Sequence, residues 1–150
     1  MPEKRTIERA KEDKREGKAP STQAGEFVRE EMDHIREGKH GARSAKQAIA
    51  IGLSKARRAG VELAAPAKGK TSATTRRKAE RDYARGHGAP AKRVATSRRR
   101  KASESALKRE PRSAASHAAL SRQASTAASR RPASARSAAA KQAARTRRSH

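Results

Sequence analysis

Residues Ser44–Gly60, S-A-K-Q-A-I-A-I-G-L-S-K-A-R-R-A-G, form the one run in which apolar spacing, a start signal and a stop signal agree. On a wheel of about 100° per residue, Ala45, Ala48, Ile49, Gly52, Leu53, Ala56 and Gly60 gather on one side. Lys46, Gln47, Ser54, Lys55, Arg57 and Arg58 take the other. Ser44 reads as the N-cap, and Gln47 three residues on completes a capping box that satisfies two orphan backbone N–H groups. Gly60 reads as the stop, because the residue just past a helix often needs positive φ. The pattern predicts a short helix with a small-residue face and a basic back. Ile51 falls among the basic residues, so either the buried stripe is wider than drawn or Ile51 touches a partner.

Working outward, residues 21–38 have the same kind of order. Ser21 or Thr22 can cap, and Ala24, Phe27, Val28, Glu31, Met32 and Ile35 share one arc. The outer face carries Glu26, Glu30, Asp33 and Glu37, and Gly38 closes the helix. The link K-H-G-A-R is short enough for an antiparallel pair. Phe27, Val28, Met32 and Ile35 can then pack on Ile49, Leu53, Val61 and Leu63. At roughly 1.5–3 kcal/mol per fully buried large side chain, before entropy, that core is marginal and invites a second copy or a ligand. Before it, residues 3–16 read as a frayed, solvent-exposed helix ending at Gly17, with Pro20 barring its continuation.

After Leu63 the composition changes. Residues 64–150 hold 24 Lys plus Arg against four acids, whereas residues 1–63 hold 15 against 11. Apart from Tyr83, Val94, Leu107 and Leu120, this half offers mostly Ala, Ser and cations, too little apolar surface to offset ordering entropy. It therefore reads as a disordered tail, with 75–85, 97–109 and 136–147 transiently helical when phosphate neutralises their repulsion. Pro66, Pro90, Pro111 and Pro132 divide it. R-K-A-S at 100–103, R-Q-A-S at 122–125 and R-P-A-S at 131–134 recur loosely; the restricted alphabet accounts for this, and a kinase adding phosphate near those cations would cancel charge.

Composition also excludes whole classes of chemistry. Cysteine is absent, which removes disulfides, zinc ribbons and thiol catalysis. His34, His40, His87, His117 and His150 show no paired metal spacing, so no metal ligand is assigned, and no cofactor or small-molecule substrate is implied. His34, beside Asp33 and Glu37, reads as an exposed helix residue. No signal peptide or membrane-spanning run is legible, and the expected location is cytoplasmic, on the nucleoid if DNA is the partner.

The net charge of +24 attracts polyanions. The cations expected to meet phosphate are Lys46, Lys55, Arg57 and Arg58 on the basic helix back, and Arg76, Arg77, Lys78, Arg98, Arg99, Arg100, Lys101, Arg130, Arg131, Arg145, Arg147 and Arg148 beyond it. No base-reading motif accompanies them, so binding should tolerate any sequence.

The runs S-T-Q-A-G-E-F-V-R-E-E-M and E-G-K-H-G-A-R-S-A-K-Q-A-I-A-I-G-L-S-K-A-R-R-A-G-V resemble a family of small basic bacterial proteins, domain of unknown function 6496, over about residues 1–70. The resemblance implies a bacterial origin and a helical head on a basic tail, and brings no activity. The tail is similar in composition to linker-histone tails and bacterial histone-like proteins.

The expectation is thus a mainly α protein with a charged N-terminal arm (1–20), a helical hairpin head (21–63) able to pair with a second copy, and a long disordered or transiently helical basic Ala/Arg/Ser-rich tail (64–150). Its expected role is non-enzymatic, histone-like binding of DNA or RNA. The alternative is a protein-interaction adaptor whose head docks a partner while the tail only tethers.

Overall fold

Punctuation residues set the helix ends. In the computed structural model, which describes residues 1–90 and 96–149, the chain forms α1 (Lys4–Arg15), α2 (Pro20–Arg36), α3 (Ala45–Arg58), α4 (Ala73–Gly86), α5 (Ser97–Arg109), a 3-10 helix (Arg112–Ala115), α6 (His117–Ser129) and α7 (Ala133–Arg148). Gly17, Gly38 and Gly60 follow α1, α2 and α3 at φ of 73°, 77° and 91°, the left-handed geometry that favours glycine. Ser44 Oγ accepts the Gln47 amide at 3.2 Å. Gln47 Oε1 in turn accepts from Arg43 N–H at 2.8 Å, one residue earlier than in an ideal capping box. Ser72, Thr96 and Ser116 cap α4, α5 and α6 by the same hydroxyl-to-amide bond three residues on.

The α2–α3 pair runs antiparallel and divides the core into two clusters. Near one end Met32 and Ile35 meet Ala42 and Ala48, with Val28 and Ile49 against them. Near the other Phe27 and Ala24 meet Ala56 and Val61, with Leu53 and Leu63 partly buried. The small-residue face of α3 lets the two backbones come together: a Cβ on Gly52 would stand 2.7 Å from Val28 Cα, closer than real side chains tolerate. The expected hairpin and its apolar partners are present.

Two expectations are corrected. Residues 4–15 are no frayed arm, because Thr6, Ala10 and Asp13 are buried and Ala10 joins the Phe27 cluster. Lys18 ties the turn to Asp13 at 2.8 Å, and Gln23 Nε2 donates to the Lys18 carbonyl at 2.9 Å.

The second half is likewise no disordered tail: helices span nearly all of it. Counting only large apolar residues missed what alanine can do. Ala114 and Ala115 are buried against Ile35 and Ala48, with Leu120 packed beside them, and Ala79 of α4 is buried too. The link of the hairpin also needs this half. Gly41 N–H donates to the Leu107 carbonyl at 2.8 Å and Ala42 N–H to the Pro111 carbonyl at 3.1 Å, so buried backbone donors find their acceptors 66 to 69 residues later. Arg36 Nε adds a bond to the Ala115 carbonyl at 3.1 Å. The prolines do divide the helices as read: α5 stops before Pro111 and Pro132 precedes α7. Val94 and His150, noted in the sequence, lie outside the described residues.

Candidate functional site

The fold sorts the cations into two populations. Lys55, on the basic back of α3, points into the protein: its Nζ lies 2.6 Å from Glu31 Oε2 and 4.0 Å from Glu30 Oε1, and its side chain is 17% exposed. Arg57 is buried, its Nε donating to the Leu63 carbonyl at 3.0 Å and its Nη2 to that of Ala64 at 3.3 Å. Burial lowers the Arg57 pKa from its ordinary value, and the charge of Asp82 partly restores it. Both residues, expected at a phosphate, instead hold the fold together. Arg58 is exposed, 3.9 Å from Asp82, which also accepts from Ser54 across the α3–α4 contact. Lys46 is exposed as expected.

The second population lies on α5 and α7, where no residue is buried. Arg98, Arg99, Arg100 and Lys101 take four successive positions and so ring the first turn of α5. Arg145, Arg147 and Arg148 crowd the last turn of α7, and Arg130 and Arg131 the exposed link before it. Arg77 and Lys78 are exposed on α4, whereas Arg76 is partly covered and 3.7 Å from Glu80. Other cations were not singled out in the sequence, two of them at a cleft. Arg43 and Arg122 line one cleft where the N-termini of α3 and α6 meet. Ser103, Ser125 and Ser134, of the Arg-x-Ala-Ser motifs, are exposed on α5, α6 and α7.

A separate cluster of ionisable groups lies inside the α1–α2–α3 packing. Glu31 is fully buried. His40 Nε2 stands 3.0 Å from Glu31 Oε1, and Lys55 approaches the other oxygen. These are ion-pair distances, yet neither oxygen receives an aligned hydrogen bond. Glu30, expected on the outer face, is also buried and accepts the Glu3 amide at 3.3 Å. His34, expected to be exposed, is largely covered, with Nε2 3.0 Å from Glu3 Oε1 and 3.8 Å from Glu30 Oε1. The hydrogen bond from His34, reinforced by Lys39, holds the Glu3 carboxyl below the usual carboxylate range. Sequence reading missed this grouping because it looked for paired histidine spacings. The legible signal was Glu31 and His34, three apart on one helix face, followed by His40 beyond the Gly38 turn.

No helix among the described residues is long and apolar enough to cross a membrane. No protein-family model, curated protein or solved structure matches the chain.

Proposed function

We propose that this chain is a non-enzymatic nucleic-acid-binding protein that takes DNA or RNA phosphates, without sequence preference, on the cations of its second half. The observation that carries this reading is the state of α5 and α7. They bury no side chain, and of their cations Lys108 alone has an ion-pair partner, Glu104 at 2.8 Å, among the described residues. Like charges on successive helical turns repel, and a polyanion relieves that repulsion while releasing condensed counterions. The proposed location is the cytoplasm, on the nucleoid where DNA is the ligand. The adaptor reading has less support, because the small-residue face of α3 on which it rests is covered by α2.

The test is a binding titration of the full chain against duplex DNA and single-stranded RNA over a salt series. Engagement of ten cations gives a log–log slope near about −9 on duplex DNA. Weak binding with no dependence on salt would remove the proposal.

A further inference from the structure

Glu31, His34 and His40 each offer one donor atom, and the three atoms lie within 4.8 Å of one another. Two observations distinguish this group from an ordinary buried ion pair. First, the Glu31 carboxylate is fully buried and neither of its oxygens receives an aligned hydrogen bond, a costly state for a charge inside a protein. Second, His40 Nδ1 is 3.0 Å from the Gly41 carbonyl. A carbonyl can only accept, so this contact puts a proton on Nδ1 and leaves the lone pair of the neutral ring on Nε2. That lone pair faces Glu31 Oε1 at 3.0 Å. Two acceptors so opposed need a cation between them: a second proton on the ring is one, but no aligned hydrogen bond reaches either Glu31 oxygen, and a metal ion is the other.

We infer that Glu31 Oε1, His40 Nε2 and a ring nitrogen of His34 form a binding site for a divalent first-row transition cation of the zinc class. One carboxylate oxygen with two imidazoles is a donor set that suits Zn²⁺, Co²⁺ or Ni²⁺ rather than Mg²⁺ or Ca²⁺. Tetrahedral zinc, with ligands at about 2.0–2.1 Å, places its donors about 3.3 Å apart. The Glu31–His40 pair is already near that spacing; His34, whose Nε2 lies 3.0 Å from Glu3 Oε1, would have to turn a ring nitrogen toward the pair. The Gly41 carbonyl fixes the His40 ring as an outer-shell acceptor commonly does at metal sites. Lys55 need not leave, because it contacts Oε2 while the inferred ligand is Oε1. The local charge also favours an added cation. Among the described residues Glu3, Glu30 and Glu31 are countered only by Lys55 and by Lys39, which Glu37 shares, when both imidazoles are neutral. Binding would fix the link that follows α2, the same link whose Gly41 N–H holds the Leu107 carbonyl. The site is independent of the nucleic-acid reading.

The experiment uses the full chain, stripped with chelator and titrated with Zn²⁺ by equilibrium dialysis, with Co²⁺ absorption as a second readout. The expected result is one tightly bound Zn²⁺ per chain and visible Co²⁺ d–d bands. His34→Gln and His40→Gln should each weaken Zn²⁺ binding more than tenfold and remove the bands, with helix content by circular dichroism unchanged. A variant replacing His87, His117 and His150 by Ala should bind as the parent does. Absence of binding in the parent overturns the inference, as does binding that survives His40→Gln but disappears when the three other histidines are replaced.

Discussion

Residues 1–63 and the described residues of 64–149 are both built of helices and treat charge in opposite ways. In the first half 15 cations meet 11 acids, and several are held at short range: Lys55 by Glu31, Lys18 by Asp13, Lys14 by Glu62. In the second half 24 cations face four acids, and α4, the 3-10 helix and α6 attach through small buried alanines, Leu120, a few backbone bonds and the side-chain contacts of Asp82 and Arg36. Burial and the acids nearby decide what a cation is for. An Arg or Lys inside the packing neutralises a carboxylate or caps a carbonyl, while one outside it, on a stretch with few acids, stays available to an external anion.

The largest effect should come from the core of the first half. Phe27 is 1% exposed, and Phe27→Ala should cost about 3–5 kcal/mol in urea denaturation, enough to unfold much of the population. A loss below about 1 kcal/mol would show that the α2–α3 core does not carry the fold. Next is Lys55→Met, which leaves the buried Glu31 carboxylate without its cation and should cost about 3 kcal/mol. If this variant were fully stable and lost polynucleotide affinity instead, Lys55 would belong with the external cations.

The attachment of the second half is tested by Ala115→Leu. Ala115 is fully buried, so overpacking there should destabilise by about 1–3 kcal/mol and raise hydrogen exchange at Gly41 and Ala42. A loosely tethered second half would show neither change.

The smallest effect is on acidification. Lys14 holds the Glu62 carboxyl below its ordinary value of 4.5, and Lys108 does the same for Glu104. A carboxyl whose folded pKa is depressed lends stability above its unfolded value and loses it as pH falls through the folded one. Lys14→Gln should therefore lower the melting temperature slightly at neutral pH, and the difference from the parent should vanish well below pH 4.5. A difference that persists in acid would mean Lys14 contributes by packing.

The same contrast explains what could be read in advance. The hairpin was legible because Phe27, Val28, Met32 and Ile35 are large and periodic, and because Ser44 and Gly60 mark their ends with atoms that satisfy backbone groups. The folding of the second half was not, since Ala114, Ala115 and Ala79 look the same in sequence as the exposed alanines of α7. Only the partner surface distinguishes them. Candidate cations were legible as a population but not one by one: Arg57 and Arg58 are neighbours, yet one is buried under the 63–64 backbone and the other is exposed. The Glu31–His34–His40 group stayed hidden because His40 reaches it only through the turn at Gly38.

The most direct test of the central claim compares two triple variants of equal charge change. Arg145, Arg147 and Arg148 become Gln in one, and Lys4, Arg5 and Lys11, also exposed and without ion pairs among the described residues, become Gln in the other. The α7 variant should lose about 2.7 from the magnitude of the duplex-DNA salt slope, while the α1 variant leaves the slope nearly unchanged. Equal losses in both would show that net charge alone governs binding, and would contradict the assignment of phosphate contacts to the exposed helices of the second half.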